Sequence, residues 1–391
     1  MKTTLTQRRE FLKSSAILST ALFTGSAIQS CENQSINKIN CHQLVPEINI
    51  MKCNPNEGPI GLLFSQVGYE TGYPVKIIIR APSENLLTGE VLCLLLPGNR
   101  EKEYQSKFSY WGEIWKSHWW IAEFHDIDEE GEWRIEIWNG KQVIMRDTGL
   151  KTGKNILWDQ TVELASADML ERRVHFTKVG AGWQDAGTLW VESPAQSAMV
   201  LALEELLEMA PERISSELTE RIQKQITVGC DYLVMLEKKA RELGFPPGST
   251  SHDLLGHEKD VLPNDAVKAA IALTKSLRLL PESFGTKKAE YKTTASVIYN
   301  WLTTQAKPVG DLGLSRFQRG LPEDGLIPHD EWQTRDLVSL LWASLEQWKT
   351  NNSAAKERAV YYAREIMSRQ IAKENSEAGY FGHFREYAST K

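Results

Sequence analysis

Hydrophobic and polar positions along this chain change period near residue 153. Before that point, short runs of β-branched and aromatic residues predict strands: Leu62 to Phe64, Val75 to Arg80, Glu90 to Leu96, Ser117 to Phe124, Trp133 to Trp138 and Gln142 to Met145. Pro82-Ser83, Pro97-Gly98-Asn99, Glu130-Gly131 and Asn139-Gly140 punctuate them as turns. Period-two alternation puts Trp133, Ile135 and Ile137 on one face and Trp138 on the other. Runs of this length and spacing predict an all-β sandwich over 59–152. From Lys154 onward the apolar spacing becomes helical, as in Ile222, Ile226 and Leu233. Seven helices are expected, at 156–175, 189–209, 214–240, 264–281, 285–305, 334–350 and 352–371. No strand run interrupts them, so 153–391 reads as an all-helical array of antiparallel pairs. Long loops at 176–188, 241–263 and 306–333 fall after every second helix and therefore gather on one rim.

The first 58 residues stand outside this pattern. Arg8-Arg9 and a short apolar run from Ser14 to Ile28 precede Ser30-Cys31. That arrangement reads as an export signal over 1–31, ending in lipidation at Cys31. It places the mature protein outside the cytoplasm, tethered to a membrane in the cell envelope. Residues 32–58, rich in Asn, Glu, Lys and Pro, read as a flexible tether, with Cys41 and Cys53 open to pairing. Cys93 and Cys230 sit in apolar runs and are expected to be buried.

Composition changes the picture little. Over 391 residues, 41% are hydrophobic, 25% are charged and the formal net charge is -6, which gives no electrostatic reason to expect a nucleic-acid partner. Thirteen tryptophans are the outlier. They suit flat ligands such as carbohydrates, and equally a Trp-rich core. Trp111, Trp115, Trp119 and Trp120 are candidates for a sugar platform in the β region.

Candidate chemistry concentrates in Gly180-Ala181-Gly182-Trp183-Gln184-Asp185-Ala186-Gly187-Thr188-Leu189-Trp190. A carboxylate flanked by indoles on a Gly-rich loop suits a sugar cleft, with Asp185 handling protons and Trp183 and Trp190 covering apolar sugar faces. The same pattern also fits a capping Asp beside core tryptophans. Asp260 and Asp265 fall on the same rim, where each can bind a sugar hydroxyl, and Asp265 can also serve the helix dipole. His252 and His257 lie five residues apart among acids but lack a local third ligand, so neither a metal nor a cofactor is expected. Trp332, Tyr380 and His383 are further candidate walls.

Three segments carry a family resemblance. Phe64-Ser65-Gln66-Val67-Gly68-Tyr69, Gly182-Trp183-Gln184-Asp185-Ala186-Gly187 and Gly229-Cys230-Asp231-Tyr232-Leu233 are similar, in that order, to segments of glycoside hydrolase family 9. The resemblance runs from about residue 60 to the C-terminus. It implies an immunoglobulin-like β-sandwich ahead of an (α/α)6 barrel-type domain, here incomplete at about seven helices. It also implies inverting hydrolysis of β-glucans or related oligosaccharides, with Asp185 holding the attacking water. The family's second acid, the general base, is Thr188 here, and nothing matches its general-acid glutamate; Glu377 and Glu386 stand near the end outside any family motif. Three readings stay open. The chain is an inactive fragment whose missing C-terminal half or self-association covers an exposed helical edge. Or it is an oligosaccharide-binding lipoprotein. Or it is a hydrolase with Asp185 as base and its acid drawn from Asp260, Asp265 or Glu258.

Overall fold

The computed structural model describes residues 60–389 apart from 88, 99–102, 175, 178, 186–189, 309–329 and 377–378. The expected signal and tether, with Cys31, Cys41 and Cys53, lie outside the described residues, as do Thr188 and Glu377. Two compact units divide the chain between Leu164 and Ala165.

The N-terminal unit is β-rich. Its strands are β1 (Gly61–Leu63), β2 (Tyr69–Glu70), β3 (Val75–Ala81), β4 (Val91–Pro97), β5 (Tyr104–Lys107), β6 (Ser109–Ile114), β7 (Ser117–Phe124), β8 (Gly131–Asn139) and β9 (Gln142–Gly153). They form a four-stranded sheet ordered β1-β3-β7-β6 and a five-stranded sheet ordered β2-β9-β8-β4-β5. All pairings are antiparallel except β2 with β9. Alternate side chains of both sheets enter one core: Val75, Ile77 and Ile79 from β3, Cys93 and Leu95 from β4, Trp120 and Phe124 from β7, Trp133, Ile135 and Ile137 from β8. The buried Trp133 indole donates to Thr152 Oγ1 at 2.8 Å, so its polar edge is satisfied inside that core.

Strands β5 and β6 escaped the sequence pattern. The β6–β7 hairpin turns through Trp115 and Lys116 at φ 53° and 58°, left-handed values reached without the glycine or asparagine that marks such a turn. Trp115 stands exposed at this turn, whereas Trp120 is a core residue and the Trp119 indole donates to the Ile114 carbonyl at 3.1 Å. Helix α1 (Ile156–Glu163) closes the unit. Its N-cap Asn155 makes no side-chain cap, and the Glu70 carboxylate takes the role by accepting from the Asn155 and Leu157 amides at 2.7 and 3.0 Å.

The second unit is all-α. A π-helical segment, Leu164–Asp168, leads from α1 into α2 (Met169–Val174), so the first expected helix is interrupted in its middle. The others are α3 (Ser193–Met209), α4 (Ser216–Glu242), α5 (Pro263–Leu279), α6 (Gly285–Thr304), α7 (Thr334–Lys349) and α8 (Ser353–Ser368). Ser215 caps α4, accepting from the Leu218 amide at 3.1 Å. Asn264 lies in the first turn of α5. Pro263 takes the first position, where its missing N–H is no loss, and the Asn264 side-chain Nδ2 donates to Asp336 Oδ1 at 2.7 Å.

Side-chain ties fix helix direction. The Ser193 amide donates to the His252 carbonyl, His252 bonds Asp265, and Asn264 bonds Asp336, which brings the N-termini of α3, α5 and α7 together. At the far ends Lys275 pairs with Glu205 and Glu208, and Arg278 with Glu208 and Glu346. Helices α3, α5 and α7 therefore run in one direction, and their positive dipole ends share one rim.

Between the far-end charges lies Glu204 of α3, fully buried, with neither carboxylate oxygen hydrogen-bonded. Burial drives its carboxyl well above the usual range, against the opposing pull of Lys275 and Arg278. Unfolded, the same group ionises near its ordinary value. The native state thus binds the extra proton, and stability falls as pH rises above that value. Glu204→Leu is expected to raise unfolding stability by about 1–3 kcal/mol at neutral pH. Denaturant titration should show a smaller gain in mild acid; a loss at both pH values would mean the carboxyl has a partner.

Candidate functional site

The Gly-rich loop is built around its first tryptophan. Gly180 and Gly182 adopt φ of 73° and 71°. A side chain at Gly182 would also come within 2.8 Å of Gln196 Oε1 and 2.9 Å of Val191, so strain and space both require glycine there. The Trp183 indole is 2% exposed and packs against α4 at Gly229, where a Cβ would stand 2.7 Å from the ring and closer still to Val200. Trp183 Nε1 donates to Gln225 Oε1 at 2.9 Å. Gln196 clamps the backbone, accepting from the Trp183 amide at 2.8 Å and donating to its carbonyl at 2.9 Å. Expected as a sugar platform, Trp183 offers no open face and is a core residue. Gly182 and Gly229, from two of the three family-like segments, serve its burial.

Two residues on, the chain surfaces. Asp185 is partly exposed, and its amide donates to the Trp190 carbonyl at 3.0 Å, closing the loop and setting Asp185 beside Trp190. Trp190 is 47% exposed and sits edge-on to His257, with ring centroids 6.5 Å apart. The next residue is anchored: the buried Tyr232 hydroxyl donates to the Val191 carbonyl at 2.5 Å.

Glu192 follows at the N-cap of α3, yet its carboxylate makes no capping bond. It turns instead toward His252, with Oε1 3.9 Å from Nε2. His252 Nδ1 lies 2.7 Å from Asp265 Oδ2, in the buried first turn of α5. His257 Nδ1 lies 3.3 Å from Asp260 Oδ2, and the two imidazoles meet edge to face. Backbone bonds lock the group: the His252 amide donates to the Asp260 carbonyl at 2.8 Å, and Asp253 Oδ1 accepts from the Leu255 and His257 amides at 2.9 and 2.8 Å. Asp260 and Asp265, expected to bind sugar hydroxyls, are buried and each is bound to an imidazole. They orient histidines rather than face a ligand.

Charge follows this geometry. Burial raises the Glu192 carboxyl above its usual value; His252 opposes the shift, while the negative fields of Asp185, Asp253 and Asp265 add to it. Burial alone would lower His252, but the Asp265 hydrogen bond and the fields of Asp265, Glu192 and Asp253 outweigh it and raise its pKa. Sequence reasoning named Asp185, Trp190 and His252 but missed Glu192. The available signal was a glutamate immediately before Ser193-Pro194, which reads as an ordinary helix entry.

Of the remaining candidates, Trp332 joins a second cluster around the buried Arg369. Its guanidinium donates to the Trp332 carbonyl at 2.7 Å, to Thr334 Oγ1 at 3.2 Å and to the Glu386 carbonyl at 3.3 Å. The His383 carbonyl accepts from the Ile371 amide at 2.8 Å, while Tyr380 is 77% exposed. This cluster packs at the start of α7, which Asn264 and Asp336 tie to the start of α5.

No family model matches the chain, and no curated protein matches it. Solved structures do. A crystal structure of a metagenome-derived glycoside hydrolase family 9 endoglucanase matches with a TM-score of 0.52 at 16% identity, over 78% of this chain and 64% of that one. A Bacteroides ovatus GH9 structure matches with a TM-score of 0.51 at 12% identity, over 80% and 64%. This chain thus spans under two thirds of either relative. The likeness is one of fold, a β-rich region followed by an all-α region.

Adding a methyl at Gly229 would force the Trp183 ring or Val200 to move. Gly229→Ala is expected to lower stability by about 1–3 kcal/mol, and Trp183→Ala by about 3–5 kcal/mol. Both are read from denaturant unfolding; a neutral Gly229→Ala would mean the ring is loosely seated.

Proposed function

We propose that this protein is a carbohydrate-directed hydrolase of the family 9 type, acting on a β-glucan or related oligosaccharide. In this reading the two sheets are an immunoglobulin-like sandwich and the helices part of an (α/α)6 barrel. Asp185 receives the proton of the attacking water in an inverting displacement, and Trp190 covers an apolar sugar face. Export and lipidation at Cys31 would set this domain at the envelope surface, where polysaccharide is met.

The observation that carries the reading is the placement of Asp185. The buried Trp183 two residues before it and the backbone bond to the Trp190 carbonyl hold a partly exposed Asp185 next to a half-exposed Trp190. A second reading, an oligosaccharide-binding protein without turnover, is favoured by Thr188 standing where the resembled family has its general base, since a threonine hydroxyl takes no proton near neutral pH.

Incubation with soluble β-glucans, scored for reducing ends and for retained oligosaccharide, tests both readings. Asp185→Asn is expected to cut turnover by about 10²–10⁴-fold while binding persists. Trp190→Ala is expected to weaken binding by roughly tenfold, about 1.4 kcal/mol. Neither turnover nor binding by the unsubstituted protein would remove the carbohydrate reading altogether.

A further inference from the structure

A hydrolytic site with Asp185 as base needs a separate acid to protonate the leaving oxygen. Asp253, Asp260 and Asp265 are buried; Asp265 is hydrogen-bonded to the His252 imidazole, Asp253 to backbone amides, and Asp260 lies 3.3 Å from the His257 imidazole. Glu192 differs from all three. It is partly exposed, sits at a helix start without capping it, and has its carboxylate against one nitrogen of an imidazole whose other nitrogen is held by a buried acid. With Nδ1–H committed to Asp265, the exchangeable position of the His252 ring is Nε2, on the Glu192 side.

We propose that Glu192 is the proton donor of this site, reprotonated through the His252–Asp265 dyad, for cleavage of a glycosidic bond by water held at Asp185. The inference rests on the hydrolase reading above. In the step, the water oxygen bonds to the anomeric carbon as the bond to the leaving oxygen breaks. The electron pair of that bond stays with the leaving oxygen, which takes the Glu192 proton, and the water's own proton passes to Asp185. Glu192 then regains a proton from His252 Nε2–H, His252 recovers one from solvent, and Asp185 releases its proton to solvent. Glycoside and water become two hydroxyl compounds, and no further reactant is needed.

The groups facing Glu192 agree with this role. Burial raises its carboxyl above the usual value, and the negative charges of Asp185, Asp253 and Asp265 act in the same direction. His252 is the one opposing charge among them. It sets how far that shift extends.

The test compares a β-glucan oligosaccharide with a dinitrophenyl β-glycoside, whose leaving group departs without protonation. Glu192→Gln is expected to lower kcat on the oligosaccharide by about 10²–10⁴-fold and to leave the dinitrophenyl glycoside near the unsubstituted rate. His252→Gln removes the charge that favours ionised Glu192, so the alkaline limb of the oligosaccharide pH profile is expected to move to higher pH. A purely structural role for His252 would not move that limb, and if Glu192→Gln does not fold, this shift decides. Equal losses on both substrates, or no loss on either, would overturn the proposal for Glu192. Binding without turnover by the unsubstituted protein would overturn it too, while leaving a carbohydrate site in place. Absence of both binding and turnover would overturn the hydrolase reading as well.

Discussion

The indole of Trp183, wedged between α3 and α4, is the constraint on which the candidate site depends. Its ring lies against Gly229, its Nε1–H reaches Gln225 on α4, and its peptide is gripped from both sides by Gln196 on α3. Burying a side chain of this size is worth several kcal/mol, and the three hydrogen bonds leave no polar atom of the residue unpaired. With Trp183 fixed, the chain has two residues in which to return to the surface, and the Asp185–Trp190 backbone bond closes the excursion. The Gly-Trp and Gly-Cys-Asp-Tyr segments are thus two halves of one packing solution. Tyr232, from the second of them, also holds Val191 where the loop re-enters the helix.

Electrostatics organise the rest of the rim. The aligned starts of α3, α5 and α7 present orphan amides and positive dipole ends, and each carries an acid in or beside its first turn: Glu192, Asp265 and Asp336. At the opposite ends the order reverses, with Arg278 and Lys349 in the last turns of α5 and α7 and Lys275 just before the first of these, paired with acids of α3 and α7. This polarity favours carboxylates at the rim, but it does not by itself make a site. What distinguishes Glu192 is that burial and three neighbouring acids act against the dipole, so its two protonation states lie closer in free energy than those of an ordinary surface glutamate.

Legibility followed the strength of the local pattern. Trp133, Ile135 and Ile137 alternate cleanly and lie in the core as their period requires, and the longer helices fall near their expected spans. The β6–β7 hairpin was invisible because Trp115 and Lys116 adopt a backbone conformation that their side chains do not advertise. The first expected helix is broken by the π segment at Leu164–Asp168, where one extra residue per turn shifts the apolar face partway along. At the site, composition located the loop but not the depth of each residue. Trp183 and Trp190 are the same residue type seven positions apart; one is core and the other half in water. Only Gly182, Gly229 and Gln196, brought together by the fold, separate them.

Depth also explains why a proton-handling group would sit on a helix start rather than on the loop. Asp185 is held through one backbone bond and the tryptophan two residues before it. Glu192 stands between two anchored peptides: the Val191 carbonyl is taken by Tyr232, and the Ser193 amide by the His252 carbonyl at 2.8 Å. The same His252 peptide is bound through its amide to Asp260, and its ring to Asp265. Backbone and side chain of one histidine therefore fix both the position of the glutamate and the field around it. General acid catalysis needs the donor within hydrogen-bond reach of an atom that moves as its bond breaks. A donor whose flanking peptides are bolted to the array meets that demand with less reorganisation than one carried on a glycine-rich loop.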